Sequence, residues 1–220
     1  MLVRLLCLGI GYLFGLIQTG YFIGKAHHED IRERGSGNAG STNALRVYGA
    51  KAGLLTLLGD VLKAIAAILL VSVVFGDKYG YMLPLLKMYT GAGVVLGHNF
   101  PFYLGFRGGK GVAASLGISI IFDWKLVVII AIVFLGLVFL TRYVSLASLS
   151  AYTAVLTGII VFGQMGFYNM EQRYLNELYI LFVLMTALAY FRHRKNIVRL
   201  LNGTENKISI GSHGKYGYGE

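Results

Sequence analysis

Apolar stretches long enough to cross a bilayer, parted by short segments crowded with Lys and Arg, restrict this chain more than any other feature. A helical crossing takes about 20 apolar residues. Leu2 to Ile23, Ala52 to Phe75, Met88 to Phe106 and Tyr143 to Gly163 all reach that length. Leu178 to Phe191 is shorter, but Tyr174 and Glu177 can extend it into a tilted or thin span. Composition agrees: 56% of residues are hydrophobic and 14% charged, about half the charge of a soluble domain. Thirty Gly and two Pro suit close-packed membrane helices, where small residues let backbones approach. No alternation runs long enough for a barrel, so the expected fold is an all-α integral membrane bundle.

Arg4 ahead of the uncharged run Leu5 to Gly24 has the look of a secretory leader. That run is long enough to span and no A-x-A-like site follows, so it is expected to stay as the first span. The region Val112 to Leu140 is split by Asp123, Trp124 and Lys125, and forms either one long helix or two short ones. Basic residues concentrate in Lys25 to Lys51 and again after Phe191, and both belong on the cytoplasmic side. Counting from there puts Asp77 and Lys78 outside, Arg107 and Lys110 inside, Asp123 to Lys125 outside, Arg142 inside, and Gln164 to Glu177 outside. Only about seven helices, with the split region forming two, keep both basic ends together. A single transmembrane domain over 1–207 is expected, with a polar, Gly-rich, frayed tail over 208–220.

A net charge of +10 raises nucleic acid as a partner, but the basic residues are spread through loops and form no basic domain. Membrane lipids and phosphorylated ligands fit better. The lone Cys7 lies in an apolar run and reads as packing. No cofactor or metal is expected. His27 and His28 are adjacent and face apart on a helix, and no carboxylate array is present to hold zinc or magnesium.

Three cytoplasmic stretches carry more chemistry than connectors need. In Arg34 to Arg46, Gly35, Gly37 and Gly40 permit a turn whose N–H groups form an anion nest. Ser36, Asn38, Thr42 and Asn43 add donors there, and Arg46 adds charge. It approaches a Walker loop, but Ser41 stands where the lysine belongs and no parallel-sheet pattern surrounds it. In Gly97 to Gly111, Lys110 is framed by Gly108, Gly109 and Gly111, so it can approach an oxyanion at the start of the next helix. Arg107 reads equally as a marker of the membrane face, and His98 equally as a helix-end residue bonding a carbonyl. In the third stretch, His193, Asn196 and Arg199 share one helical face, followed by Gly203, Thr204 and Glu205. Asp60 and Lys63 inside a span, and Arg142 near Ser145, read either as buried pairing or as the wall of a site.

These three stretches resemble, in order and spacing, the signatures of the PlsY-type acyl-phosphate:glycerol-3-phosphate acyltransferases. The resemblance covers nearly the whole chain. It implies a multi-pass enzyme of the bacterial inner membrane with a cytoplasmic active site. Such an enzyme moves a fatty acyl group from acyl phosphate to the 1-hydroxyl of glycerol 3-phosphate, giving lysophosphatidic acid, the first acylation of phospholipid synthesis. Carried over, it implicates Ser36, Arg46, Lys110, Ser145, His193 and Asn196. Ser41 stands where the family has Ala, and Ala64 where it usually has Gly.

The expected catalytic set is therefore Ser36, Arg46, Lys110, His193 and Asn196. The expected substrate contacts are Gly37, Asn38, Gly40, Thr42, Asn43, His98, Gly108, Gly109, Arg142, Ser145, Arg199 and Glu205. Acyl phosphate and glycerol 3-phosphate are the expected partners of a monomer. Acyl phosphate is already a mixed anhydride, so the enzyme has to align the hydroxyl and neutralise the leaving phosphate. His193 is the candidate base, and a substrate phosphate is the alternative proton acceptor. A transporter of a phosphorylated solute is the rival reading, with Asp60 and Lys63 suited to it.

Overall fold

The computed structural model describes residues 1–208 and is helical, with no strand among the described residues. The expected tail therefore lies outside the described residues, apart from Ile208. The first apolar run is broken. Helix α1 (Leu2–Gly15) and helix α2 (Thr19–Ala26) are separated at Gln18, whose buried amide donates to the carbonyls of Gly15 (3.1 Å), Gly97 (3.4 Å) and His98 (3.0 Å). A buried amide in an apolar setting needs such acceptors, and the chain ends freed by the break supply one of them.

Helix α3 (Ser41–Tyr48) lies in the segment after α2 and leads into α4 (Ala50–Tyr79). At 30 residues α4 is longer than the span read from sequence, and Asp77 and Lys78 form its last turn. Helix α5 (Leu83–Asn99) returns beside it, so that Lys63 meets His98. The sequence places this span at Met88 to Phe106. It ends earlier because Phe100 precedes Pro101, and the residue before a proline is driven out of the helical region.

The tightest packing joins α1 to α5. A Cβ on Gly11 or Gly15 would strike the carbonyls of Thr90 or Val94, and one on Gly93 or Gly97 the carbonyls of Leu8 or Tyr12. Each helix contributes two glycines four residues apart, so the backbones touch without side chains between them.

Helix α6 (Val112–Phe122) stops at Asp123, whose carboxylate accepts from the Lys125 N–H at 3.0 Å and caps α7 (Trp124–Ile130). The charged triplet thus breaks the region into two helices. Helix α7 continues through a π-helical stretch, Ala131–Leu135, into α8 (Gly136–Thr141). Helices α9 (Val144–Gln164) and α10 (Gln172–Arg192) follow, then the short α11 (Arg194–Leu201). Among the described residues, five helical segments are long and apolar enough to cross a membrane, one of them, Ala50–Leu104, holding both α4 and α5, and α6 is a shorter apolar helix. Large apolar side chains such as Leu62, Val73, Phe139 and Leu184 face outward, as a lipid-immersed bundle requires. At the far end from the basic loops, Arg4 pairs with Glu177 at 2.6 Å, and Tyr89 donates to the same carboxylate. Cys7 is fully buried in the core.

Candidate active site

One cleft of about 480 Å³ takes its walls from all three unusual stretches. Its polar end gathers Ser36, Asn38, Gly40, Thr42, Asn43, Arg46, His98, Lys110, Ser145, His193, Asn196, Arg199 and Glu205. Its other end runs between α6, α7, α9 and α10, over Leu116, Val127, Ile130, Phe134, Val155 and Phe182. Polar and apolar halves in one cavity suit an amphiphile.

The glycine-rich loop is held by Asn43. Its carboxamide accepts from the Ser36 N–H (2.8 Å) and donates to the carbonyls of Ile31 (3.2 Å) and Arg34 (3.0 Å). The Gly37 N–H is taken by the Arg34 carbonyl at 2.9 Å. The expected anion nest is therefore corrected: two of its donors, at Ser36 and Gly37, are turned to protein acceptors, and Gly37 does not line the cleft. What the loop offers is the start of α3, with Gly40, Ser41 and Thr42 on the cleft wall, and the guanidinium of Arg46. Arg46 forms no ion pair with a carboxylate among the described residues.

The Lys110 loop reaches across to the tail. Lys110 Nζ donates to Asn196 Oδ1 at 2.5 Å, Asn196 Nδ2 donates to Glu205 at 2.8 Å, and Arg199 Nε donates to the same carboxylate at 2.8 Å. Burial pulls the Lys110 ammonium down to about 8. The charges of Arg199, Arg192 and Arg46 push the same way, and Glu205 opposes them. His193 is buried, and its Nδ1 lies 2.8 Å from the Ala189 carbonyl, which can only accept. Nδ1 therefore carries the hydrogen and Nε2 the lone pair. Burial holds His193 down at about 4, with the Lys110 charge as a second cause.

Several expected contacts are not at the cleft. Arg142 is exposed, in a left-handed turn (φ 62°) that ends α8, and its carbonyl accepts from Ile208; it does not line the cavity. Gly108 and Gly109 lie behind Lys110, packed on His98, where a Cβ at either would collide. Their carbonyls accept from Arg192 (2.9 and 2.8 Å), which also lies over the Phe100 ring. The sequence reads Arg192 only as one of the basic residues after Phe191 that mark the membrane face. Its only local signal is a basic residue in the last turn of α10, and its acceptors lie more than 80 residues away. Asp60 is on the cleft wall as well as paired with Lys63, so both readings of it hold. Ser145 is buried, with an Oγ that has no partner among the described residues.

Residues 5–203 match the glycerol-3-phosphate acyltransferase family. A glycerol-3-phosphate acyltransferase of Mesorhizobium japonicum is 41% identical over 205 residues, covering 93% of this chain and 95% of that protein. One from Clostridioides difficile is 42% identical, covering 90% and 92%. Among solved structures, PlsY, an integral membrane glycerol 3-phosphate acyltransferase, is similar in its glycerol 3-phosphate form. The TM-score is 0.80 at 34% identity, covering 94% of this chain and 96% of that one. Its lysophosphatidic acid form aligns with a TM-score of 0.78 at the same identity.

Proposed function

The chain belongs to the glycerol-3-phosphate acyltransferase family, and from that premise we propose how its own residues acylate glycerol 3-phosphate and which donor they accept. The observation that carries the reading is the single cleft, cationic at one end and apolar at the other. A fatty acyl chain lies along the groove between α6, α7, α9 and α10, with its activated carbonyl at the polar end. The 1-hydroxyl of glycerol 3-phosphate attacks that carbonyl carbon, the carbon–oxygen bond to the departing phosphate breaks, and the hydroxyl proton passes to the phosphate. The products are lysophosphatidic acid and inorganic phosphate.

Arg46 and Lys110 neutralise phosphate charge, while Ser36, Asn196 and the start of α3 orient the acceptor. Ser145 supplies an unoccupied hydroxyl at the same end. No enzyme nucleophile is needed because the donor is already activated.

The donor is acyl phosphate. The polar end gathers Arg46, Lys110, Arg199 and hydroxyl and amide side chains, groups that suit a small anion such as a phosphate. With purified protein and glycerol 3-phosphate, acyl phosphate should support lysophosphatidate formation with stoichiometric phosphate release. Acyl-CoA should give no transfer above background. Robust transfer from the thioester would overturn this donor assignment, and uptake of glycerol 3-phosphate into vesicles without acylation would favour a transporter.

We also propose a seven-span topology in the bacterial inner membrane, with the cleft on the cytoplasmic face. Residues from 34–46, 98–111, 145 and 193–206 all meet at one end of the bundle, as the positive-inside count requires. Helix α6, at 11 residues, covers only about 16 Å, so this crossing is thin and Asp123 sits deep. In a Cys7→Ala background, Trp124→Cys and Arg142→Cys should label with an impermeant thiol reagent from opposite sides. Labelling of both from one side would overturn the two-helix reading of residues 112–140. The cleft is complete within one chain, which supports a monomeric enzyme.

A further inference from the structure

An ionic cluster that the transfer chemistry leaves unused backs the cleft wall, to which Asp60 and His98 contribute. Asp60 and Lys63 stand one turn apart on α4, with side chains 1% and 2% exposed. Lys63 Nζ donates to Asp60 Oδ1 (2.7 Å), to the Ile17 carbonyl at the break between α1 and α2 (2.5 Å), and to Nδ1 of His98 (2.8 Å). An ammonium has three hydrogens and no lone pair, so these contacts saturate it. They also determine the imidazole: Nδ1 must bear the lone pair, which leaves the hydrogen of neutral His98 on Nε2.

That ring edge faces the phosphate loop. A Cβ on Gly109 would overlap the His98 ring, most severely at Nε2. The Gly109 N–H donates to the His98 carbonyl (3.0 Å), and the Gly108 N–H to the Asn99 carbonyl (3.2 Å). The turn that delivers Lys110 is thus laid directly on His98. Burying two ions is costly, and an apolar pair of similar volume would hold α4 in place at least as well. What apolar residues cannot supply is a directed donor to Nδ1.

We propose that Asp60 and Lys63 are positioning residues for the phosphate loop, fixing the tautomer and orientation of His98 so that its ring sets the Gly108–Gly109 turn and thereby the place of Lys110. The inference rests on the reading of Lys110 as a phosphate-binding cation.

Two readouts test it. The first needs no substrate. In protein labelled with 15N-histidine, the His98 signals, assigned by their loss in His98→Gln, should show a neutral ring protonated at Nε2. A hydrogen on Nδ1, or a doubly protonated ring, would overturn the proposal outright. The second uses paired substitutions, which avoid leaving one buried charge alone. Asp60→Leu/Lys63→Met should fold with little change in Tm, lose the fixed tautomer, and raise KM for glycerol 3-phosphate about tenfold or more with a smaller change in kcat. Asp60→Asn/Lys63→Gln keeps a neutral donor near Nδ1 and should restore much of that loss, which a purely structural role would not predict. A folded Leu/Met variant with wild-type KM would also overturn the proposal, and if that variant does not fold the wild-type spectrum still decides. Should the wild-type protein prove inactive, the acyltransferase reading fails by itself. The tautomer, together with glycerol 3-phosphate binding in place of KM, would then judge the cluster separately.

Discussion

Replacing Lys110 by alanine should lower turnover by about 10²–10³-fold, the range seen when one preorganised electrostatic contact to a charged transition state is removed. The ammonium is half-buried, bonded to Asn196, and set by a turn that admits no side chain beside it. Alanine leaves both the departing phosphate and Asn196 without their donor. Lys110→Arg keeps the charge but brings a planar, bulkier fork to a site shaped for a point charge, so only partial recovery is expected. Arg107, three residues earlier and exposed, is the control: Arg107→Ala should change the rate little.

The same lysine predicts a pH dependence. Phosphate binding needs its charged form, and its free-enzyme value is drawn down to about 8. As pH rises through about 8, the proton leaves and kcat/KM should fall, while Lys110→Arg, charged throughout, should abolish that alkaline limb. The comparison requires equal yield and thermal stability in detergent. Near-normal turnover in well-folded Lys110→Ala would remove this loop from the phosphate site.

The spans and the chemistry-bearing loops could be read from the chain because both are local. Apolar runs announce helices through length alone, and Asp123-Trp124-Lys125 marks a break because a charged, cap-forming triplet cannot continue an apolar helix. Glycines interleaved with Arg46 and Lys110 mark the loops that the fold brings to one cleft. The errors came where long-range contact decides. Gln18 breaks the first run because its amide finds acceptors about 80 residues away, for which no pattern exists nearby. Asn43 reads as a ligand donor, yet it holds the loop together. Arg142 sits close in sequence to Ser145, but a single left-handed residue turns it away from the cleft. Lys63 and Asp60 can be read as a pair from their spacing, whereas His98, which completes their function, is 35 residues further on.

Replacing His193 by alanine should lower kcat by about 10²-fold, and the rest of its profile identifies the proton acceptor. The Ala189 carbonyl fixes the hydrogen on Nδ1, so Nε2 presents a lone pair to the cleft and can accept a hydrogen bond from the attacking hydroxyl. Accepting a hydrogen bond is not the same as taking the proton. Burial and the nearby Lys110 hold His193 at about 4, whereas the phosphate, no less basic as it departs than a monoester, takes its second proton at about 6 or above. A gap of about two units favours the phosphate by about 2.7 kcal/mol. His193 then orients the hydroxyl, and the substrate carries the proton away. Two results follow. His193→Gln, which can present an acceptor oxygen but cannot take up the proton, should recover to within about tenfold of wild type, well above His193→Ala. The acid limb of kcat/KM should also lie near the phosphate value and stay there in His193→Gln, because the titrating group belongs to the substrate. If His193→Gln is as inactive as His193→Ala, or if substitution shifts or removes that limb, His193 is the base and the proton does not pass to phosphate directly.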